Sequence, residues 1–136
     1  MTDDDAIERF GLPAAKGHRR DLCDLLEAEL SKVAEGEADE ALIKCLVAQL
    51  FSIGEVEDSL RIWEAKAASF DLMCGLDVQF LCGAGIERTR DYLVSGDSRD
   101  AKDALKYLNE CIGTGDFAEW TPELWVENSR RYYGLD

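Results

Sequence analysis

Residues 41–67 read ALIKCLVAQLFSIGEVEDSLRIWEAKA, and they carry the strongest signals of the fold. The segment from about Asp39 to Ile53 is apolar nearly all round, which predicts a helix at the centre of the protein. Gly54 follows it in the manner of a C-terminal glycine. From about Val56 to Ser69, apolar residues recur at helical spacing with charges between them, which predicts a helix with one solvated face. The two segments together predict a helical hairpin with a tight glycine turn.

This hairpin resembles one unit of the tetratricopeptide repeat family. The residues that carry the resemblance are Ile43, Leu46, Leu50, Gly54, Val56, Ser59, Leu60 and Trp63. Three positions depart from the family pattern, and these are Val47, Lys66 and Asp71. A second unit, in looser register, would follow after residue 77. The resemblance implies a right-handed array of stacked antiparallel hairpins that serves as a scaffold for protein interactions rather than as a catalyst.

Helical periodicity outside the hairpin predicts further helices. One begins near His18, a second covers about Val78 to Val94, and a third follows Asp97 and places its apolar residues on one face. Thr121 as N-cap and Pro122 at the first helical position predict a terminal helix through about Tyr132. The predicted fold class is therefore all-α, with about six helices in stacked antiparallel hairpins and a C-terminal capping helix.

The chain length of 136 residues suits a single domain. Residues 1–17 combine an acidic start with Gly11, Pro13 and Gly17, so we expect a flexible acidic leader there. Residues 18–136 are expected to form the helical domain. Within it, residues 70–77 are predicted to be a connector between hairpins, with Asp77 as a candidate N-cap for the helix that follows.

Composition and charge exclude several classes of function. The formal net charge is −14, which opposes binding to nucleic acid and to anionic membranes. No apolar run is long enough to span a membrane, and the acidic start is unlike a secretory signal, so we expect a cytoplasmic protein. The five cysteines are scattered without CxxC spacing, which suggests neither a disulfide framework nor a zinc site: Cys23, Cys45, Cys74, Cys82 and Cys111.

We find no motif that indicates catalysis. His18 is the only histidine, and it stands beside Lys16, Arg19 and Arg20, which would repel a metal ion. A thiol nucleophile needs a positioned base, and a chain with one histidine is poorly equipped to supply it. The acidic runs around residues 55–58 and 97–103 lack the alternating ligands of a calcium loop. We therefore expect no enzymatic activity, no metal and no cofactor.

One segment supports an alternative function. Residues 78–88 read VQFLCGAGIER, which would fit a buried strand, a glycine turn and a helix start, the beginning of a dinucleotide-binding unit. Arg88 replaces the third glycine of that motif, and no second buried strand follows. The alternative is a small-molecule or nucleotide-binding protein that uses Gly83 to Arg88. The competing interpretation is that Gly83 and Gly85 permit close packing of a helix.

The leading hypothesis is a non-enzymatic interaction module whose acidic surface binds a basic protein partner. A specific form of it is a bacterial immunity protein that masks a basic toxin or nuclease. The partner-binding candidates are acids at the hairpin turn and in the connector: Glu55, Glu57, Asp58, Asp71 and Asp77. We expect a monomer or a weak homodimer. A purely structural subunit in a stable oligomer is a third possibility.

Overall fold

The computed structural model describes residues 1–135, which contain eight α-helices, three short 3₁₀ helices and no β-strand. The prediction of an all-α fold is confirmed. The α-helices are α1 (Asp3–Phe10), α2 (Arg19–Leu30), α3 (Glu40–Ile53), α4 (Asp58–Lys66), α5 (Phe70–Gly75), α6 (Ile86–Ser95), α7 (Arg99–Gly113) and α8 (Pro122–Tyr132). The 3₁₀ helices are Lys16–His18, Val33–Glu35 and Val78–Cys82. Eight helices are present where about six were expected, because residues 3–10 and 70–75 are also helical.

Helix α3 lies at the centre of the fold, as its apolar sequence predicts. Nine of its residues between positions 42 and 51 are buried, and Lys44 is the half-buried exception. Helices α1, α2, α4 and α8 and the 3₁₀ helix Val78–Cys82 all pack against it, with α2 and α1 making the most extensive contacts. The Asp39 carboxylate accepts a hydrogen bond from the Leu42 N–H at 3.2 Å, and Gly54 ends the helix at φ 82°.

The first seventeen residues differ from the loose leader that we expected. Helix α1 begins with a capping box, in which the Thr2 hydroxyl accepts from the Asp5 N–H and the Asp5 carboxylate accepts from the Thr2 N–H. Ala6 and Phe10 are buried against α3. The buried Gln49 side chain donates to the carbonyls of Ala6 and Gly11, at 2.9 and 3.0 Å. This segment is therefore packed and hydrogen-bonded to the central helix.

The segment 78–94 is not the continuous helix that we expected. It divides into the 3₁₀ helix Val78–Cys82 and helix α6, and Gly85 separates them with φ 97°. Asp77 precedes the 3₁₀ helix, but its side chain makes no capping hydrogen bond there. A Cβ atom on Gly83 would lie 2.6 Å from the Phe51 carbonyl oxygen. The chain turns here because the backbone of residue 83 packs directly on the end of α3.

The predicted terminal helix is confirmed at its start and its end. The Thr121 hydroxyl accepts from the Leu124 N–H at 3.1 Å, and Pro122 is the first helical residue. Helix α8 packs on α3. Its Trp125 ring lies 6.3 Å from the Phe80 ring, so α8 and the 3₁₀ helix Val78–Cys82 share an aromatic contact.

Candidate functional site

A cleft of about 490 Å³ opens between α3, α8, the end of α5 and the start of α1. Its volume lies in the range of small-molecule sites. The lining residues come from four separate parts of the sequence: Asp3, Ala41, Lys44, Ala48, Gly75, Leu76, Asp77, Phe80, Trp125, Asn128, Ser129, Tyr132 and Tyr133. Because α3 is central, its exposed side forms one wall, and the outer helices form the others.

Small residues make room in this cleft, and aromatic residues enclose it. Ala41 and Ala48 lie two helical turns apart on α3. A Cβ atom on Gly75 would lie 2.8 Å from the Lys44 ammonium nitrogen, so the absence of a side chain there leaves space for the lysine. The aromatic lining is formed by Phe80, Trp125, Tyr132 and Tyr133. Tyr132 is 83% exposed, so much of its ring faces solvent rather than the core.

Three charged side chains line the cleft without neutralising one another. Lys44 and Asp3 are half-buried, and Asp77 is exposed. Within residues 1–135, none of the three forms an ion pair, although opposite charges line the same cavity. The Asp3 carboxylate accepts a hydrogen bond from the neighbouring Asp4 N–H at 3.1 Å. The cleft thus presents one cation and two anions that form no ion pair in this part of the chain.

The buried Lys66 side chain holds one wall of the cleft in place. Its ammonium group donates to the carbonyl of Met73 at 2.5 Å and to that of Leu76. It also lies over the Tyr107 ring, 5.3 Å from the ring centre. Burial lowers the pKa of Lys66, and the nearby Asp77 carboxylate opposes that effect. Since Leu76 and Asp77 line the cleft, Lys66 positions the segment that carries them.

The five predicted partner-binding acids lie in different environments. Glu55 forms a 2.9 Å ion pair with Lys16, and this hydrogen bond lowers the pKa of Glu55. Glu57, Asp71 and Asp77 are exposed, and of the five acids only Asp77 lines the cleft. Asp71 lies in the first turn of α5, at the opposite end of that helix from the cleft.

Asp58 does not belong in the predicted set, because it is 1% exposed and engaged inside the protein. Its carboxylate accepts two hydrogen bonds from Arg19, at 2.8 and 2.9 Å, and lies 3.4 Å from Arg61. The sulfur of Cys23 lies 3.8 Å from the same carboxylate. A partner cannot reach this side chain, so its role is structural.

Sequence reasoning missed two of the three charges in the cleft. Lys44 interrupts an apolar helix, and a lysine at such a position must direct its ammonium group to a surface or a cavity. That interruption was the available signal. Asp3 lies in the segment that we expected to be loose, and no local pattern relates it to position 44.

The glycine segment gives no support to a dinucleotide site. Residues 78–82 form a 3₁₀ helix instead of the buried strand with which a dinucleotide-binding unit begins. A Cβ atom on Gly83 would lie 2.6 Å from the Phe51 carbonyl oxygen. Gly83 thus packs closely on a neighbour, as the competing interpretation expected, but it lies outside helix α6, and a Cβ atom on Gly85 would meet nothing within 4 Å. His18 packs against the Phe10 ring, with ring centres 5.2 Å apart. Residues 1–135 contain no cluster of three or more side chains placed to hold a metal ion.

Comparison with family models, with curated proteins and with solved structures finds no match for this chain. No helix in the described range 1–135 is long and apolar enough to cross a lipid bilayer.

Proposed function

We propose that this protein is a non-enzymatic interaction module that binds a basic protein partner. The observation that carries the proposal is the large excess of acidic side chains at the surface. The net charge is −14, and most of the acids are exposed. Such a surface attracts a basic partner over long range and accelerates its association. The likeness of residues 41–67 to a tetratricopeptide hairpin supports the same role by analogy of fold.

The exposed acids of α5 and of its following turn are the part of this surface that we assign to the partner. Asp71 lies in the first turn of the six-residue helix α5, and Asp77 follows that helix and also lines the cleft. Phe70, beside Asp71, is 81% exposed. A large aromatic side chain next to exposed acids combines apolar area with charge, which is the composition of an interface anchor with a charged rim. Glu57 would extend the acidic surface on the side of the α3–α4 turn.

A more specific proposal is an antagonist of the immunity type, which masks a basic toxin or nuclease inside the producing cell. We place it in the cytoplasm, where thiols stay reduced, because all five cysteines are free. A monomer or weak homodimer suits this role, since the acidic surface then stays open to the partner. Mutual repulsion between two copies at net charge −14 favours the monomer.

The first test is affinity capture from a cell extract followed by mass spectrometry and by measurement of binding at two salt concentrations. We expect a basic protein whose affinity falls as salt rises, because screening weakens interactions between exposed charges. Recovery of only acidic proteins, or binding that does not respond to salt, would contradict the proposal.

The second test uses two charge reversals that change the net charge equally. Asp71→Lys with Asp77→Lys should weaken partner binding by about tenfold, since both positions are assigned to the interface. The matched control is Asp97→Lys with Asp100→Lys. Asp100 is the control for Asp71, because each lies in the first turn of its helix, α7 or α5. Asp97 is the control for Asp77, because both are exposed and precede a helix. Equal losses in both double variants would show that only total charge matters.

A further inference from the structure

The strongest unexplained feature of the cleft is that it holds opposite charges that do not meet. Lys44 on α3 and Asp77 after α5 line one cavity, yet neither is part of an ion pair within residues 1–135. Asp3 adds a second carboxylate at the start of α1. In contrast, the half-exposed Arg19 and the half-exposed Glu55 both pair within the chain. A ligand that carries both signs of charge would complete the interactions that these side chains leave open.

The aromatic residues that line the cleft indicate the uncharged part of such a ligand. Phe80 and Trp125 offer aromatic rings whose centres lie 6.3 Å apart, and the half-buried Tyr133 lines the same cavity. Aromatic rings stack favourably with other flat rings, and they also attract cations. The volume of about 490 Å³ accommodates a molecule as large as a dipeptide.

We propose that this cleft binds a small amphoteric molecule with an aromatic body, the class to which aromatic amino acids and their dipeptides belong. Lys44 receives the carboxylate of the ligand, Asp77 and Asp3 receive its ammonium group, and the aromatic wall receives its ring. This site shares Asp77 with the surface proposed to bind a basic protein. Dipeptide affinity and partner binding are measured separately, so either proposal can fail while the other holds.

Ligands with a single charge suit the cleft less well. A purely cationic ligand gains attraction from the two carboxylates but is repelled by Lys44. A purely anionic ligand gains attraction from Lys44 but faces two carboxylates and the field of a protein with net charge −14. Only a ligand with both charges can place each next to its opposite.

The experiment titrates the full chain with three matched dipeptides and measures affinity by calorimetry. Trp-Gly carries both terminal charges, its C-terminal amide carries only the cation, and its N-acetyl form carries only the anion. We expect Trp-Gly to bind about fivefold more tightly than either derivative, since each exposed charge pair contributes roughly 1 kcal/mol. Equal affinity of all three dipeptides, or no binding of any, overturns the proposal.

Two variants then assign the charges to residues. Lys44→Met should weaken Trp-Gly and the N-acetyl form by about fivefold and should not weaken the amide. Asp77→Asn should weaken Trp-Gly and the amide while sparing the N-acetyl form. Matched controls are Lys106→Met and Asp97→Asn, at exposed positions outside the cleft, which should bind all three as the wild type does. Loss of all three dipeptides to the same extent in both cleft variants would overturn the assignment, provided that urea unfolding shows both to be folded.

Discussion

The buried carboxylate of Asp58 is held by the guanidinium of Arg19 in a two-point hydrogen bond, with Nε–Oδ2 at 2.8 Å and Nη2–Oδ1 at 2.9 Å. Arg19 begins α2 and Asp58 begins α4, so the pair joins two helices that are 39 residues apart. The hydrogen bond to Asp58 raises the pKa of Arg19. Removing only one partner of such an ion pair is costly, because the charge of the other partner stays buried without compensation.

We predict that Arg19→Met lowers the free energy of unfolding by about 3 kcal/mol, because it leaves the Asp58 carboxylate buried with only the longer contacts to Arg61 and to the Cys23 sulfur. Urea unfolding monitored by circular dichroism measures the change. The control is Arg131→Met, which removes an exposed ion pair with Glu127 and should change stability by less than about 1 kcal/mol. Equal effects of the two substitutions would contradict the role given to Asp58.

Gly83 is predicted to tolerate no side chain. Its φ of −59° is ordinary, so the restriction is steric: a Cβ atom would lie 2.6 Å from the Phe51 carbonyl oxygen, a backbone atom that cannot rotate away. Gly83→Ala should lower the free energy of unfolding by about 2 kcal/mol, because the end of α3 must move away. Gly113→Ala is the control, since α7 ends there in open space and alanine favours a helix. A neutral Gly83→Ala would show that the backbone contact is loose.

Local signals in the sequence were sufficient for some elements. The apolar run of α3 with Gly54 after it, and Thr121 with Pro122 before α8, contain their own start and stop signals, and both helices form as predicted. Helix α1 was missed because Gly11 and Pro13 close by favour a loose segment. Its capping box uses an aspartate at the position where glutamate is usual, which weakened that signal.

Other features depend on contacts between distant parts of the chain. The break at residues 83–85 follows from the approach of the Phe51 backbone, which no periodicity of residues 78–94 reveals. The cleft brings together positions 3, 44 and 77 with helix α8, and only the packing around α3 relates them. Sequence reasoning therefore selected Asp77 as a candidate from its local acidity, but it had no means to relate Asp77 to Lys44.

We predict that stability falls at alkaline pH in part through buried thiols. Burial raises the pKa of Cys82 from its ordinary value of 9.0 to about 12. The raised pKa means that the stability contributed by the neutral thiol is complete below pH 9 and is lost as pH rises from 9 to about 12. Within that range the unfolded chain releases the thiol proton while the folded chain keeps it.

The measurement for this effect is the slope of unfolding free energy against pH, taken from urea titrations between pH 9 and 11. Cys82→Ala should make the decline less steep by about 1 kcal/mol per pH unit. The smaller side chain also lowers stability, but by an amount that does not change with pH. An unaltered slope in Cys82→Ala would mean that this thiol ionises in the folded protein as readily as in the unfolded one.

The last prediction concerns the first helix, which sequence reasoning treated as a leader. Phe10 is 5% exposed and belongs to the main hydrophobic core, so Phe10→Ala should lower the free energy of unfolding by about 3 kcal/mol. Glu8→Ala, two residues earlier on the exposed side of α1, should change it by less than about 0.5 kcal/mol. Urea unfolding of both variants provides the comparison. If Phe10→Ala matched Glu8→Ala, helix α1 would contribute nothing to the core, and the cleft wall that carries Asp3 would lose its support.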